Sequence, residues 1–287
     1  MRSGIFRILS KRRLNRMVSV IILSKNEEQD LPACLASLAW CRDVHVVDSG
    51  SSDRTVDIAR ARGTTVWTNR FTSFGQQRNW AIDHCAVKND WILFLDADER
   101  STPEFERAVV SAIGAASPEV AGFYCCWKMM LGDCWLKRSD NFPKWQFRLL
   151  RKGRARFTDV GHGQKEAAVE GRIEYLQEPY LHYAFSRGWE VWTERHRRYA
   201  RQEAEERSGK PLKLQDLVSP HSSRRNPAIK LLVGNLPGWP QFRFLYSYVL
   251  KGGFLEGNEG LTYCRKIMWY EQLTQHELRA LKHPSSS

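Results

Sequence analysis

Short apolar segments alternate with helical segments between residues 17 and 115, and this alternation constrains the fold more than any other feature of the sequence. The apolar segments are, in chain order, MVSVIIL, DVHVVDS, TTVWT and DWILFLD. They have the length of buried strands, and the segments between them have the apolar spacing of helices. Short apolar strands that alternate with helices form parallel, doubly wound sheets. We therefore predict an α/β fold, with a mostly parallel sheet flanked by helices.

The pattern changes beyond Gly114. The segments VAGFYCCWKMMLGDCWL, KWQFRLLRK and YLHYAF predict strands without intervening helices, which indicates an antiparallel extension of the same domain. From Arg187 onward the helical pattern dominates. The sequence thus predicts a basic N-terminal arm (1–16), a parallel half-domain (17–115), an antiparallel half-domain (116–186) and a C-terminal helical region (187–287).

The chain is strongly basic, with 44 lysines and arginines against 32 acidic residues and a formal net charge of +12. Such a surface attracts polyanions, so nucleic acid, an anionic membrane and a phosphorylated substrate are all compatible with it. The apolar runs are much shorter than the roughly 20 residues that span a bilayer. The basic N-terminal segment is not followed by a cleavable apolar core, so we expect neither a transmembrane helix nor a secretory signal.

Polar and acidic residues follow three of the predicted strands at the points where these strands end. The sequences are SKNEE after the first strand, DSGSSD at the end of the second and DADE at the end of the fourth. Ligands of open parallel sheets bind outside the carboxyl ends of the strands, which meet at one edge. The glycine-rich GxGxxG loop of dinucleotide-binding proteins is absent after the first strand. The sequence therefore predicts an acidic site at this edge rather than a dehydrogenase site.

Asp96 and Asp98 are the most informative of these acids because they directly follow a buried strand. If strand geometry continued, their side chains would share one face. Ionised carboxylates resist burial unless they are paired or bind a metal, and Mg²⁺ typically takes one or two carboxylates together with substrate phosphates. We interpret the pair as a site for Mg²⁺ or Mn²⁺ and a diphosphate. The alternative is a solvated turn before a helix that begins at Pro103.

Four motifs in this order, VSVIILSKNEEQDLPACLASL, VHVVDSGSSDRTVDIAR, FTSFGQQRNWAI and WILFLDADE, strongly resemble glycosyltransferase family 2. The resemblance is tight from residue 17 to about 110 and looser beyond. Within the family, the chain most resembles bacterial lipopolysaccharide-core and cell-surface glucosyltransferases. It implies the GT-A fold and an inverting, metal-dependent transfer from a nucleotide-diphosphate sugar, with a UDP-sugar favoured. The acceptor that it implies is a hydroxyl of a lipid-linked, lipopolysaccharide or polysaccharide molecule.

The resemblance also implies roles for individual residues. Asp98 would be the main metal ligand and a catalytic residue, and Asp96 would contact the metal or the ribose. Arg78 would face the diphosphate or the sugar, because a guanidinium suits phosphate oxygens. Asn26 and Glu27 would line the nucleotide pocket near the base and the ribose, and Asp48 would hydrogen-bond the base. Gly50, in the same loop as Asp48, would also contact the nucleotide sugar.

An inverting transfer also needs a base that takes the proton of the acceptor hydroxyl. Related enzymes have a VHE-like element after a QxRL strand, and here QFRL is followed by DVGHGQKEAAVEG. Glu166 is the preferred base, with Asp159 and Glu170 as alternatives. His162 and His182 are expected to be structural or to contact the acceptor, since no metal-binding spacing accompanies them.

The C-terminal region allows two interpretations. Aromatic and aliphatic residues recur there at helical spacing beside Lys251, Arg265 and Lys266, as in a helix packed on a core or in an interfacial membrane helix. The second interpretation, together with the positive net charge of the chain, favours a cytoplasmic protein that binds peripherally to the inner face of the cytoplasmic membrane.

Other functions also remain open. They are a nucleotide-sugar-binding or nucleotidyltransferase-type α/β enzyme and a basic nucleic-acid-binding protein. The last is disfavoured because the acidic loops would repel phosphates and no nucleic-acid-binding signature is present.

Overall fold

The computed structural model describes residues 18–160, 163–209, 214–218 and 222–282, which form two compact units. The first unit contains the described residues up to Gly132 together with Pro143–Ser186. The second begins at Arg187 and also takes in Asp133–Phe142, which the sequence assigned to the antiparallel half-domain. The basic arm predicted for residues 1–16 lies outside the described residues.

The first unit follows the predicted alternation up to residue 115. Its elements there are β1 Val18–Ser24, α1 Leu31–Ser37, β2 Val44–Asp48, α2 Thr55–Ala61, β3 Thr65–Thr68, α3 Phe74–His84, β4 Trp91–Asp96, β5 Glu99–Arg100 and α4 Pro103–Ala115. Strands then predominate, as β6 Val120–Leu131, β7 Trp145–Arg151, β8 Arg156–Val160, β9 Gly163–Ala167 and β10 Arg172–His182. Local signals fix the helix starts: the Thr102 side chain accepts a hydrogen bond from the Phe105 amide before α4, and Ser73 accepts one from Gln76 before α3.

The main sheet has the strand order β3-β2-β1-β4-β7-β6-β10-β5. Strands β3, β2, β1 and β4 are parallel, β7 is antiparallel to both of its neighbours, and β10 is parallel to β6. Ser24 of β1 pairs with Asp48 of β2, and Leu23 pairs with Asp96 of β4. The predicted fold class is confirmed, and this register aligns the three acidic strand ends at one edge.

The core lies on both faces of this sheet. Leu93 and Leu95 of β4 pack with residues of α1 and α4, whereas Ile92 and Phe94 pack on the opposite face with residues of α3. All four side chains are fully buried. A strand that is covered on both faces must be apolar at every position, which is why β4 reads as a continuous hydrophobic run.

Three strands differ from the sequence prediction. Strands β8 and β9 form a separate antiparallel hairpin, and β10 begins eight residues before the predicted strand YLHYAF. Both segments carry exposed polar residues, such as Lys165 in the hairpin and Gln177 in β10, so neither shows the apolar run from which strands were predicted.

The second unit is mainly helical. It contains a short strand Cys134–Trp135, then α5 Gly188–Gly209, α6 Leu214–Leu217, α7 Ser222–Val233, α8 Trp239–Leu245, a π-helical turn Tyr246–Leu250, a 3₁₀ turn Gly253–Glu256 and α9 Gly257–Lys282. No helix in the described part of the chain is long and apolar enough to cross a membrane.

Candidate active site

The loops after β1 and β2 are joined by hydrogen bonds at the acidic edge of the sheet. The side-chain oxygen of Asn26 accepts a bond from the Ser52 amide at 2.8 Å, and the Asn26 amide donates to Ser51 Oγ at 2.8 Å. The Glu27 amide donates to Thr55 Oγ1 at 2.7 Å. Asn26 has a left-handed backbone with φ of 54°, a conformation that asparagine tolerates better than most residues. The predicted residues Asn26 and Glu27 therefore lie in one interlocked loop pair.

Asp48 holds the loop that follows it. Its carboxylate accepts bonds from the amides of Gly50 and Ser51, both at 2.9 Å, and from the Ser51 hydroxyl at 2.5 Å. Gly50 has φ of +83°, which allows the chain to turn back toward the carboxylate. Asp48 is only 2% exposed, so its observed contacts are structural, and its predicted contact with the base stays a prediction.

The two aspartates of the DADE motif have different partners. Strand β4 ends at Asp96, and the chain turns at Ala97 and Asp98 instead of continuing as a strand. The Asp96 carboxylate accepts bonds from Arg148 Nη2 at 2.8 Å and from Arg78 Nη2 at 3.2 Å. Asp98 Oδ2 lies 3.4 Å from His182 Nε2. The expectation that both carboxylates share the face of one strand is therefore wrong, because the strand stops between them.

A layer of buried ions lies beneath Asp96. Arg148 Nη2 contacts Glu99 Oε1 at 2.7 Å, and the other Glu99 oxygen accepts a bond from the Asp96 amide at 2.8 Å. The side chains of Arg78, Arg148 and Glu99 are no more than 3% exposed. Buried charges of one sign must be paired with the other sign, and here each guanidinium contacts a carboxylate.

This arrangement shifts the pKa values of its members. Burial favours protonation of Asp96, but the charges of Arg148 and Arg78 outweigh it and hold the pKa of Asp96 well below its usual range. Burial raises the pKa of Glu99 to about 7 against the opposing charge of Arg148, and the nearby Asp96 carboxylate acts in the same direction as burial. Burial lowers the pKa of Arg78 to about 10. For His182, burial acts to lower the pKa, but the adjacent Asp98 carboxylate raises it to about 9.

Asp96, Asp98 and His182 form the accessible layer of the site. Their side chains are 33%, 18% and 21% exposed, respectively. The pairing of β5 with β10 places His182 opposite Glu99, and the Tyr183 amide donates to the Asp98 carbonyl at 2.9 Å. The ligand types suit a divalent cation, although no cluster of three or more metal-binding side chains is formed within the described residues. Substrate oxygens would have to complete such a site.

Arg78 is placed differently from the expectation that it faces a diphosphate. Its side chain is 1% exposed and lies near the rings of Phe94 and Phe157, with Cζ at 5.4 and 5.8 Å from their centroids. Helix α3 packs across the sheet face, so the arginine points into the protein and binds Asp96 from below. Its observed contact positions a carboxylate.

The candidate bases lie on or next to the β8–β9 hairpin. Glu166 of β9 is partly exposed, and Oε1 accepts a bond from the Tyr124 hydroxyl at 2.5 Å. Asp159 of β8 instead holds the start of α3, where it accepts bonds from the Gly75 amide at 2.8 Å and the Ser73 hydroxyl at 2.7 Å. Glu170 is exposed after the hairpin, and His162 lies outside the described residues.

Sequence reasoning did not assign Arg148 or His182 to the acidic site. Arg148 is a charged residue inside the apolar strand QFRLLR, and His182 ends the strand segment YLH. A charged residue in a strand otherwise built for the core is rarely buried without a partner, which is the signal that could have identified Arg148.

The chain is similar in sequence to known glycosyltransferases. Residues 19–161 match the sequence profile of the family described as glycosyl transferase family 2. The chain is 28% identical over 162 residues to the lipopolysaccharide core biosynthesis glycosyltransferase LpsC of Rhizobium meliloti (strain 1021), covering 54% of this chain and 58% of LpsC. It is 37% identical over 94 residues to an uncharacterized glycosyltransferase of Rickettsia bellii (strain RML369-C), covering 32% of this chain and 31% of that protein.

A solved structure shows more remote similarity. Glucosyl-3-phosphoglycerate synthase from Mycobacterium tuberculosis, in complex with Mn²⁺, UDP and glucosyl-3-phosphoglycerate, is 16% identical with a TM-score of 0.41. The match covers 60% of this chain and 76% of that one. The sheet and its flanking helices define an α/β domain with an acidic edge at the carboxyl ends of its parallel strands. By its sequence motifs and its match over residues 19–161, the chain belongs to glycosyltransferase family 2.

Proposed function

We propose that this protein transfers a sugar from a nucleotide-diphosphate sugar, with a UDP-sugar favoured, to a hydroxyl of a lipid-linked, lipopolysaccharide or polysaccharide acceptor. The observation that carries the proposal is the accessible layer of Asp96, Asp98 and His182 at the carboxyl edge of the sheet. Family membership makes sugar transfer the chemistry of that edge. Similarity to a lipopolysaccharide core enzyme supports the acceptor class.

Asp98 and His182 would hold a Mg²⁺ or Mn²⁺ ion, with Asp96 beside them. Asp98 Oδ2 and His182 Nε2 lie 3.4 Å apart, so one ion could contact both atoms once the imidazole has released its proton. An oxygen and a nitrogen donor on a partly exposed edge fit a cation that keeps several positions for phosphate oxygens. When bound, such an ion supplies positive charge that stabilises the leaving diphosphate.

Arg78, Arg148 and Glu99 would act as positioning residues. They lie beneath Asp96 and fix its carboxylate from two sides. A site that is fixed before the substrate arrives spends less free energy on reorganisation during the reaction. This role replaces direct contact of Arg78 with the diphosphate.

Glu166 would be the catalytic base. The Tyr124 hydroxyl orients one of its oxygens and leaves the other available, whereas both oxygens of Asp159 bind the start of α3. The acceptor oxygen attacks the anomeric carbon as Glu166 takes its proton, and the bond to the nucleotide diphosphate breaks on the opposite face. An α-linked donor therefore gives a β-glycoside.

Thermal unfolding with nucleotide diphosphates tests the donor site. We expect UDP with Mn²⁺ to stabilise the wild-type protein by about 2.7 kcal/mol at 100 times its dissociation constant. Asp98→Asn should abolish this shift, while Asp133→Asn, at an exposed acid of the second unit, should leave it unchanged. Equal stabilisation of the Asp98→Asn variant would refute the assigned site. Stabilisation by nucleic acid alone would favour the nucleic-acid-binding alternative.

A further inference from the structure

Exposed apolar side chains concentrate in residues 236–255 of the second unit, which we call the 236–255 surface. Their exposed fractions range from 49% to 71%. The residues are Leu236, Phe242, Leu245, Val249, Leu250, Phe254 and Leu255. Single exposed apolar residues are ordinary, but a cluster of this size marks a surface that is covered by something other than water.

The helical part of this surface has its apolar side toward solvent. Phe242, Leu245 and Val249 are spaced three and four residues apart, so they share one side of α8 and the π-helical turn, and each is about half exposed. Ser247, on the inward side, is only 4% exposed. A helix on the surface of a protein in water normally has the reverse pattern. This one is patterned for a nonpolar environment on its outer side.

Close packing holds the surface in this orientation. A Cβ atom on Gly253 would lie 2.7 Å from Ser139 Oγ, and one on Gly260 would lie 2.2 Å from the Gly253 carbonyl oxygen. The Glu256 carboxylate also accepts a bond from the Ser139 amide at 3.1 Å. The turn that carries Phe254 is therefore fixed on its inner side, and its apolar side chains cannot turn inward without breaking these contacts.

The charge of the 236–255 surface indicates the chemistry of its partner. Between residues 236 and 255 the sequence has no acidic residue and two basic ones, Arg243 and Lys251. Tryptophan and tyrosine, which favour the boundary between lipid and water, occur at positions 239, 246 and 248. Basic and aromatic residues beside an apolar face are the features of segments that lie in the interface of an anionic bilayer.

We propose that the 236–255 surface binds anionic lipid bilayers, with its apolar residues in the headgroup region and its basic residues on lipid phosphates. The protein would lie on the membrane, and the described helices are not of the spanning type. A second copy of the chain fits less well, because pairing two such surfaces would bring like charges together. The proposal goes beyond the proposed function and stands without it, since it uses no residue of the active site.

Vesicle sedimentation tests the proposal. The full chain is mixed with vesicles of phosphatidylglycerol and phosphatidylcholine at 30:70, and with vesicles of phosphatidylcholine alone. We expect binding to the anionic vesicles that weakens with added salt. The variant Leu250→Asp/Phe254→Asp should reduce partitioning about tenfold or more, because it places charges in the bilayer interface. These side chains are 71% and 51% exposed, so the fold should tolerate the change.

A control variant separates insertion from net charge. Val191→Asp/Leu281→Asp changes two exposed apolar residues of the same unit, each 43% exposed, by the same charge. We expect it to bind vesicles like the wild type. Circular dichroism checks folding, and Phe242→Asp/Leu245→Asp replaces the first variant if that one unfolds. The proposal would be overturned if both variants lost vesicle binding equally, or if no variant lost it. It would also be overturned if the wild type bound no vesicles and instead formed a dimer that Leu250→Asp/Phe254→Asp dissociates. Nucleotide binding is measured in parallel, so that failure of the proposed donor site can be distinguished from failure of the proposed membrane surface.

Discussion

Arg148 contacts two carboxylates at the acidic edge, and its removal would leave both without their main counter-charge. Its side chain is 3% exposed, and Nη2 lies 2.8 Å from Asp96 and 2.7 Å from Glu99. Breaking a buried ion pair from one side costs far more than breaking an exposed pair, because the remaining charge is desolvated without compensation. At the scale of a single residue, Arg148 therefore contributes both to the stability of the sheet and to the position of the Asp96 carboxylate in the site.

We expect Arg148→Met to lower the free energy of unfolding by about 3–5 kcal/mol in urea denaturation. Arg107→Met is the matched control, because Arg107 pairs with Glu104 on the exposed side of α4 at 2.6 Å. That variant should unfold like the wild type. A loss for Arg148→Met no greater than for Arg107→Met would show that the buried pairs are not stabilising.

Glu166 and Asp159 have different proposed roles, Glu166 as the catalytic base and Asp159 as a structural carboxylate. We expect Glu166→Gln to lower kcat by about 10²–10⁴-fold while nucleotide binding is kept, because only proton transfer is removed. Asp159→Asn should instead lower stability by about 1 kcal/mol through lost bonds at the start of α3, with little change in kcat. Steady-state kinetics and thermal unfolding of both variants provide the test, and a reversed pattern would make Asp159 the base.

At the scale of an element, the start of β2 carries a buried polar group in the core. The Trp67 indole donates to His45 Nδ1 at 3.0 Å, so Nε2 carries the proton and lies 3.3 Å from Asp43 Oδ1. Burial lowers the pKa of His45, against the opposing charge of Asp43. Burial acts to raise the pKa of Asp43, but bonds from the Lys88 amide and the Ser19 hydroxyl outweigh it and lower that pKa.

This lowered pKa of His45 gives a pH prediction. Above pH 6.5, the usual pKa of histidine, both the folded and unfolded states have a neutral imidazole. Below it, the unfolded chain takes up a proton that the folded state resists, so stability is lost as the pH falls. We expect the free energy of unfolding to drop more between pH 7 and pH 5 in the wild type than in His45→Gln. His84→Gln, at an exposed histidine of α3, should keep the wild-type slope, and equal slopes for wild type and His45→Gln would contradict the prediction.

At the scale of the whole molecule, the second unit is discontinuous in sequence. Asp133–Phe142 belongs to it and packs with residues more than a hundred positions later. The Tyr263 hydroxyl donates to Asp140, which is 2% exposed, and the Glu256 carboxylate accepts a bond from the Ser139 amide. Cutting the chain at the predicted boundary between residues 186 and 187 would therefore separate the unit from part of itself.

We expect a chain truncated after Ser186 to be cleaved by trypsin at Lys137 and Arg138 at least about tenfold faster than the full chain. Those side chains are exposed, but in the intact protein the amides of Arg138 and Ser139 donate to the Glu256 carboxylate, and loss of such contacts lowers the free energy of local opening. Cleavage after Lys152, an exposed residue of the first unit, is the internal control. Equal cleavage rates in both chains would contradict this dependence.

The sequence alone determined the parallel sheet, its flanking helices and the acidic edge. These features depend on local signals, because a strand buried on both faces must be apolar throughout and a strand end is marked by the residues that follow it. For the same reason the sequence by itself places Asp48, Asp96 and Asp98 at one edge, and the strand register agrees with that placement.

Tertiary structure alone decided the partners of those residues. Arg148 is 52 positions from Asp96, and the β10–β5 pairing is what brings His182 to Asp98. It likewise turned Arg78 inward, formed the β8–β9 hairpin and moved Asp133–Phe142 into the second unit. No periodicity or spacing encodes which distant charge neutralises a buried carboxylate, because that choice is made only when the strands assemble and water is excluded.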